Sequence, residues 1–438
     1  MMYEFGYQEE RMSNEKRPRW LKLDNAGKIY PAAKRRSWSS LFRMSATLTE
    51  PVDQKILAQA QKNVLRRLNT FSMRLKRGFF WYYLESNNGE PEIVKDGSYP
   101  CSHLDPKRNR GFNFRVCYYE NRIAVEIYHV LTDGTGGITF LKTLVAEYLR
   151  LKHGISIPYD DSILDCSALA SPKESEDSFL KYARRIAGSR SESDAYHIKG
   201  TLEKDKYLHV TCGTIPLNII MNKAKEKGVT LTTFLVSVLI LAINDVQMSE
   251  HKANSRLKPV KITVPINLRR FFKSTTLRNF SMFVNPGIDP RLGEYTLDEV
   301  LMAVHHFMGM ELNEKSLNAR FTGNVLSEKN LFIRIMPLFI KNFVMKLIFN
   351  YLGDRKSSST LSNLGRVKLP EEMEQYVERM DWMLGPLSKN PVACTALSYK
   401  ELLYINMTRT ITESKVEKAF FTRLIKLGIP VRIESNQR

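Results

Sequence analysis

Residues 122–137 read RIAVEIYHVLTDGTGG, and this stretch predicts a β-strand followed by a turn and an α-helix. Residues 122–129 alternate between apolar and polar side chains, as in a strand with one buried face. Asp133-Gly134 is typical of a turn, and we expect a helix from about residue 137 to residue 152. His129 therefore comes at the end of a strand, where side chains can project into a cleft.

The residue types in this stretch suit a catalytic site. A neutral imidazole, with an ordinary pKa of about 6.5, can take a proton from a hydroxyl or an amine as that group attacks a carbonyl carbon. A buried carboxylate at Asp133 needs a cationic partner, because an unpaired buried charge costs several kcal/mol. Gly134, Gly136 and Gly137 allow unusual backbone angles and a close approach of a ligand to the backbone. A second interpretation stays open on these residues alone: His129 caps a strand, and Asp133-Gly134 is only a turn.

Strands and helices alternate along the rest of the chain, which predicts an α/β (α+β) class. The length of 438 residues fits two lobes of about 200 residues each. The pattern of the first half returns after a stretch rich in serine and charge. We therefore predict a flexible segment over residues 1–20, an N-terminal lobe over residues 21–165, an inter-lobe connection over residues 166–200 and a C-terminal lobe over residues 201–438.

Two further segments, residues 264–269 (VPINLR) and residues 360–365 (TLSNLG), accompany residues 129–134. Their order and approximate distances resemble those of the chloramphenicol acetyltransferase-like superfamily, which includes condensation domains and alcohol acetyltransferases. The resemblance extends from about residue 20 to residue 433 and is greatest to the alcohol acetyltransferase-like branch. It implies two lobes, each a mixed sheet flanked by helices, with a tunnel at their interface.

The resemblance also implies roles for single residues. His129 would be the general base in the tunnel, while Asp133 would point away from the substrate and pair with Arg269 to hold the loop in shape. The hydroxyl of Ser362 would donate a hydrogen bond to the oxyanion of the tetrahedral intermediate. Asn363 would lie at the same edge, and it can also be interpreted as part of a tight strand end.

By this resemblance, the chain would be an acyltransferase that carries an acyl group from acyl-coenzyme A to an alcohol or amine acceptor. Attack would be direct within a ternary complex, with acyl-coenzyme A as a co-substrate and no tightly bound cofactor. Tyr128 stands where condensation domains usually have another histidine, which weakens the peptide-bond interpretation. Two alternatives stay open: a free-standing condensation enzyme that uses an acyl carrier protein, and a non-catalytic binding protein that retains the fold.

The composition is strongly basic, with 66 Lys and Arg against 46 Asp and Glu and a net charge of +20. This excess favours an anionic partner: nucleic acid, a membrane surface or a small molecule that carries phosphates. No signature of a nucleic-acid-binding module is present, so we expect no nucleic-acid partner. The phosphates of coenzyme A suit a basic surface. The basic run at residues 34–36 is interpreted as a coenzyme or carrier docking site or as a solvated face, and we favour the second.

The cysteines and histidines predict no metal site. The five cysteines are scattered without a metal-binding or paired spacing, which favours reduced thiols in a cytoplasmic protein. They are Cys101, Cys117, Cys166, Cys212 and Cys394. His305 and His306 are adjacent on a predicted helix and so face different directions. Neither has a nearby carboxylate or thiol to complete a ligand set.

The longest apolar stretch covers residues 331–352. Arg334, Lys341 and Lys346 interrupt it, so we expect no transmembrane helix. It is interpreted as a helix on a membrane surface, as the wall of a lipid-acceptor tunnel or as a core helix. We favour the core or the tunnel wall over peripheral membrane contact.

Overall fold

The computed structural model of the chain describes residues 19–32, 40–97, 99–186, 188, 192–204, 207–250, 257–348, 354–387 and 390–437. Residues 1–18 of the flexible segment predicted over residues 1–20 lie outside the described residues. The basic run at residues 34–36 lies outside them entirely.

Helices and strands are interleaved throughout, which confirms the predicted α/β (α+β) class. The α-helices are α1 (Ile29–Ala32), α2 (Gln54–Arg67), α3 (Gly134–His153), α4 (Ser178–Tyr182), α5 (Leu217–Glu226), α6 (Leu231–Glu250), α7 (Leu297–Glu311), α8 (Glu314–Lys329), α9 (Leu331–Ile335), α10 (Leu338–Ile348), α11 (Glu371–Glu374) and α12 (Lys415–Lys426). The strands are β1 (Trp20–Lys22), β2 (Leu41–Leu48), β3 (Met73–Arg77), β4 (Tyr82–Ser86), β5 (Ile93–Lys95), β6 (Phe114–Tyr119), β7 (Arg122–Tyr128), β8 (His209–Pro216), β9 (Val260–Asn267), β10 (Ser281–Val284), β11 (Gly287–Ile288), β12 (Ser359–Val367), β13 (Val377–Leu384), β14 (Val392–Tyr399), β15 (Leu402–Arg409) and β16 (Arg432–Ser435).

The strands form three sheets within the part of the chain that the structure describes. One has the order β13-β2-β7-β6-β5, and a larger one has the order β10-β9-β12-β14-β15-β8-β16 with β11 beside β9. A small third sheet has the order β1-β4-β3. β12 is parallel to β9 and β14, and β5 is parallel to β6. Both large sheets are mixed and flanked by helices, as the sequence predicts for two lobes.

The first lobe is built on β2 and β7. β2 is buried along nearly its whole length because both of its faces are covered. Phe42 and Met44 lie in the apolar core on which α2 and α3 pack. On the opposite face, Arg43 donates to Glu126 at 2.8 Å, so these two buried charges are paired. This sheet presents His129 at the end of β7.

The second lobe is built around α6, which packs against α7, α12 and β9. Among the described residues, α6 is the one helix with the length and apolarity to cross a membrane. However, 72% of its apolar stretch is buried inside the protein. It is therefore a core helix, as its continuous apolar sequence predicts.

One strand of the first sheet comes from the far end of the chain. β13 pairs with β2 in an antiparallel register that runs from Val377 opposite Leu48 to Leu384 opposite Phe42. Trp382 of β13 lies in the core of the first lobe, where its ring meets that of Phe42 at a centroid distance of 5.3 Å. The prediction that residues 201–438 form one C-terminal lobe is therefore wrong for β13, because its apolar side chains complete the first core.

Asp133 caps the N-terminus of α3. Its Oδ1 accepts hydrogen bonds from the backbone amides of Thr135 at 3.1 Å and Gly136 at 3.4 Å. These bonds satisfy amides that the first turn of a helix leaves without partners. The helix consequently begins at Gly134, ahead of the predicted residue 137.

The glycines at this helix start are required by close packing. None of Gly134, Gly136 and Gly137 has a positive φ, so the predicted unusual backbone angles are wrong. A Cβ on Gly136 would lie 2.2 Å from the carbonyl oxygen of Leu277, and one on Gly137 would lie 2.7 Å from the ring of Phe42. The missing side chains let α3 start in contact with β2 and with the segment between β9 and β10.

We expect Gly136→Ala to lower the free energy of unfolding by at least about 2 kcal/mol, because its Cβ would overlap a backbone oxygen. The matched control is Gly309→Ala in α7, where a Cβ meets nothing within 4 Å. Alanine there should stabilise the helix by up to about 1 kcal/mol. Denaturant unfolding measures both variants, and equal stabilities would contradict the close packing at Gly136.

α9 and α10 occupy most of the apolar stretch at residues 331–352. Of the two favoured interpretations, a core helix or a tunnel wall, the core helix is wrong for the described residues: α9 buries no residue, and much of α10 is exposed. The physical reason is that α10 turns the polar side chain of Lys341 toward the protein. Lys341 points inward and is only 2% exposed, while apolar neighbours point outward.

Candidate active site

The imidazole of His129 is held between two aromatic rings. The Tyr30 ring stacks on it with a centroid distance of 4.6 Å and an interplanar angle of 18°. Phe42 meets it edge-on at 5.1 Å. The residue is nevertheless partly exposed. The backbone amide of His129 donates to the Ser40 carbonyl at 3.0 Å, which ties this position to the start of β2.

A hydrogen-bond chain fixes which ring nitrogen carries the proton. His129 Nδ1 lies 3.0 Å from Asn279 Oδ1. The Asn279 amide nitrogen donates to the His129 carbonyl at 3.1 Å and to Asp24 Oδ2 at 3.3 Å. Because both of those partners are acceptors, the amide oxygen must face the ring, and Nδ1 must donate to it. Nε2 is then the unprotonated nitrogen, and it makes no hydrogen bond with any described residue.

The surroundings keep the imidazole neutral. Burial lowers the pKa of His129 below its ordinary value of 6.5, since a charged ring loses hydration. The nearby charge of Asp133 and the hydrogen bond that Nδ1 donates to Asn279 oppose this shift. At neutral pH the ring is therefore ready to accept a proton at Nε2.

The predicted pair between Asp133 and Arg269 is present. Arg269 Nη1 donates to Asp133 Oδ2 at 2.8 Å, and the backbone amide of Phe280 donates to the same oxygen at 2.8 Å. Both side chains are at least nine-tenths buried. Since Oδ1 already caps α3, both carboxylate oxygens of Asp133 have two partners each. The carboxylate thus holds the loop and is not free to accept a proton from a substrate.

Arg269 also fixes the segment that carries Asn279. Its Nε donates to the Thr276 carbonyl at 2.8 Å, and its Nη2 donates to the Arg278 carbonyl. Its Nη1 further donates to Asn267 Oδ1 at 3.2 Å. One guanidinium therefore connects the loop of His129 with the residue that orients its ring.

β12 of the second lobe faces this loop. A Cβ on Gly134 would lie 2.8 Å from Leu364 Cδ2, so the two lobes are in contact there. Leu361 packs in the core of the second lobe. Because side chains alternate along a strand, Ser362 points to the opposite face. Its partner on β14, Thr395, donates to the carbonyl of Trp382, a residue of the first core, so this face is turned toward the first lobe. The Ser362 hydroxyl makes no hydrogen bond with any described residue.

Asn363 has a structural role in the end of this strand. Its Nδ2 donates to Thr232 Oγ1 at 3.0 Å, and its Oδ1 accepts from the Gly365 amide at 2.8 Å. Gly365 has a φ of +81°, a conformation that glycine adopts readily. The interpretation of a tight strand end therefore fits Asn363.

Three residues of the site are not apparent from the sequence: Asn279, Asp24 and Tyr30. Asn279 and Asp24 are buried, and both come from loops far from His129 along the chain. A single sequence offers no pattern that separates them from ordinary loop residues. For Asn279 the one signal is its position soon after residues 264–269, a segment that the resemblance identifies.

The described residues contain no group of three or more His, Cys, Asp and Glu that could hold a metal ion. Burial raises the pKa of the Cys117, Cys166 and Cys212 thiols to about 12. Burial also raises the pKa of Cys101 and Cys394. Thiols with such pKa values are protonated at neutral pH and make poor nucleophiles.

We expect Asp133→Ala to lower the free energy of unfolding by about 3–5 kcal/mol, because it leaves the buried guanidinium of Arg269 without its anion. Asp53→Ala is the matched control. Asp53 caps α2 through the amides of Lys55 and Ile56, but it is exposed and forms no ion pair with a described residue. Its loss should cost only about 1 kcal/mol.

Denaturant unfolding of both variants separates the ion pair from the helix cap. The difference between the two losses measures the pairing with Arg269. If Asp133→Ala lost no more stability than Asp53→Ala, the ion pair would not hold the loop.

Comparison with known proteins finds no family model and no curated protein that matches the sequence. Solved structures do match. One is polyketide synthase associated protein 5 from Mycobacterium tuberculosis, with 12% identity, coverage of 93% of this chain and 98% of that chain, and a TM-score of 0.57. Another is the TRI3 trichothecene 15-O-acetyltransferase from Fusarium sporotrichioides, with 10% identity, coverage of 93% and 94%, and a TM-score of 0.56.

A third is a mutant of the starter condensation domain of rhizomide synthetase RzmA in complex with C8-CoA. It has 12% identity, coverage of 95% of each chain and a TM-score of 0.59. The likeness extends over nearly the whole chain in all three structures, and at these identities it establishes the fold. The chain therefore has the two-lobed fold that condensation domains and this acetyltransferase share.

Proposed function

We propose that the protein is an acyltransferase that moves an acyl group from acyl-coenzyme A to an alcohol or amine, with His129 as the general base. The observation that carries this proposal is the hydrogen-bond chain from Asp24 through Asn279 to His129 Nδ1. It leaves Nε2 unprotonated and without a partner among the described residues. A ring held in this way is suited to accept a proton and to return it.

In the proposed reaction, the acceptor gives its proton to His129 Nε2 as its oxygen or nitrogen bonds to the thioester carbonyl carbon. The tetrahedral intermediate carries its negative charge on the former carbonyl oxygen. When the intermediate collapses, the carbon–sulfur bond breaks, and the coenzyme A thiolate takes the proton back from Nε2. The products are the acylated acceptor and free coenzyme A, and the imidazole is neutral again.

Ser362 is the proposed donor to the oxyanion. Its hydroxyl lies on the face of β12 that is turned toward the first lobe, and it has no partner among the described residues. A donor aimed at the developing charge contributes up to about 3–4 kcal/mol in comparable sites. We propose that the substrates reach this position through a passage between the lobes.

Direct transfer without an acyl-enzyme is supported by the cysteines. All five thiols have a raised pKa, so none is a ready nucleophile at neutral pH. Coenzyme A as the donor is supported by the basic surface of the chain and by the C8-CoA found in the complex of the rhizomide synthetase domain.

We expect His129→Ala to lower turnover by about 10²–10⁴-fold while leaving the fold intact. The assay follows release of free coenzyme A from acyl-coenzyme A in the presence of a panel of alcohols and amines, with mass spectrometry of the acylated product. His306→Ala is the control, since His306 is an exposed histidine on α7. Transfer that is unchanged in His129→Ala would favour a binding protein that keeps the fold without the chemistry.

A carrier-dependent transferase is the second candidate, and the likeness to condensation domains favours it. The same assay with an acyl-loaded carrier protein separates the two donors. Turnover with the carrier alone, and none with acyl-coenzyme A, would replace the first candidate by the second. Tyr128, in the place of the additional histidine of condensation domains, favours simple acyl transfer.

The pH dependence tests the role of Asn279. With an alcohol acceptor, kcat/KM should be constant around neutral pH and fall below the pKa of His129, which burial holds under 6.5. The hydrogen bond with Asn279 raises this pKa, so Asn279→Ala should move the acid limb to lower pH. It should also lower the plateau by about 10-fold, because the ring loses its fixed orientation. An unchanged acid limb and plateau would show that Asn279 does not position the ring.

A further inference from the structure

α10 has its apolar side on the outside. Phe339 and Phe343 are 63% and 64% exposed, and Leu347 continues the same stripe at the spacing of one helical turn. Ile340 and Val344 widen the stripe on the outer side. In water a surface helix turns its polar side outward. The outer side of α10 is therefore built for contact with something apolar.

Inward polar contacts hold α10 in this orientation. The Lys341 ammonium donates to the carbonyl oxygens of Phe80 at 3.0 Å and Arg334 at 3.1 Å. It also lies 3.5 Å from the centre of the Trp81 ring. Asn342 Nδ2 donates to the Tyr82 hydroxyl at 3.0 Å. Rolling the helix to hide its phenylalanines would break these contacts, so the exposed stripe is a fixed feature.

A second element adds aromatic side chains beside α10. Phe79 lies in the turn between β3 and β4 and is 71% exposed, and its carbonyl accepts from the Leu338 amide at 2.8 Å. Phe80 of the same turn is also exposed, as are Phe332 and Ile335 of α9. We call the outward side chains of α9, α10 and residues 78–81 the apolar face. Such a large exposed patch marks an interaction site.

The segments that form the apolar face carry charges of one sign. Residues 73–83 and residues 331–348 contain no Asp or Glu. Arg77, Arg334 and Lys346 are exposed, and none forms an ion pair with a described residue. The face therefore combines exposed phenylalanines with unneutralised cations.

We propose that the apolar face docks on the surface of an anionic lipid bilayer. Phenylalanines in one helix and in an adjacent turn can enter the boundary between headgroups and acyl chains, while Arg77, Arg334 and Lys346 meet lipid phosphates. A second copy of this chain fits less well, because a face-to-face dimer would bring the same three cations against each other. Charge complementarity thus favours the bilayer as the occupant.

The apolar face is connected to the candidate active site. α10 packs against α1. Tyr30 of α1 stacks on the His129 ring. Lys28, just before α1, pairs with Glu328 of α8. A docked molecule would therefore hold the neighbourhood of His129 close to the lipid, which, if the proposed acyltransferase function holds, favours an acceptor or acyl chain of lipid character.

The test is sedimentation of the full chain with vesicles, which requires no activity. Vesicles of phosphatidylcholine alone are compared with vesicles in which about one third of the lipid is phosphatidylglycerol. We expect binding to the anionic vesicles, weaker binding to the neutral ones and equal binding by His129→Ala. The double variant Phe339→Asp, Phe343→Asp should lower the partition coefficient by about 30-fold or more, because it places two charges in the buried layer.

Met310→Asp is the matched control, since Met310 is an apolar residue on α7 that is 71% exposed. It should bind as the parent does. The triple variant Arg77→Glu, Arg334→Glu, Lys346→Glu touches only exposed charged residues and should abolish the preference for anionic vesicles even if the double variant does not fold.

Three outcomes would overturn the proposal: no binding to either vesicle, equal binding by the folded double variant, or equal preference for anionic lipid in the triple variant. Light scattering measures the oligomeric state and so tests whether the face binds a second copy of the chain. A dimer of the parent that Phe339→Asp, Phe343→Asp dissociates would assign the face to self-association. Acyl transfer that fails while vesicle binding persists would refute the proposed function and leave the docking face standing.

Discussion

The buried ion pair between Asp133 and Arg269 fixes both sides of the candidate site. Asp133 caps the helix that follows His129, and Arg269 holds the carbonyls of Thr276 and Arg278, just before Asn279. The loop that carries His129 and the residue that orients its ring are thereby tied to one guanidinium. Because both charges are buried and fully hydrogen-bonded, the geometry can persist without a substrate. The tautomer of His129, with Nε2 as the acceptor, follows from the position in which these contacts hold Asn279.

The sequence predicts the fold class and the pairing around His129 better than the single contacts that orient the ring. The class, the strand that ends at His129 and the pairing of Asp133 with Arg269 follow from alternation, turn residues and resemblance to a known superfamily. The role of Asn279 does not, because an amide becomes significant only when folding brings it to a ring far away in the chain. Gly136 is similar: its identity in the sequence suggests a flexible backbone, whereas its contact with the Leu277 carbonyl shows that space is the constraint. Periodicity also cannot tell which side of α10 faces outward, since that depends on where Lys341 finds its partners.

The chain combines a widely used architecture with features of its own. The likeness to condensation domains and to an acetyltransferase concerns the arrangement of lobes, and the chemistry must be argued from the site. At that site the proposed direct transfer rests on the neutral imidazole, on the protonated thiols and on the Ser362 hydroxyl, which has no hydrogen-bond partner among the described residues. The outward phenylalanines of α10 have no role in that chemistry. Their exposure to water is unfavourable unless an apolar partner covers them.

The passage of β13 into the first sheet has a mechanical consequence. The chain leaves the second sheet after β12, contributes Trp382 to the first core through β13 and returns to the second sheet as β14, so the backbone passes between the two sheets twice. Two lobes joined by one linker can move far apart. Here, however, a wide separation would first have to break the hydrogen bonds between β13 and β2. A gene cut between the halves would therefore leave the N-terminal fragment without Trp382 in its core and the C-terminal fragment with β13 unpaired.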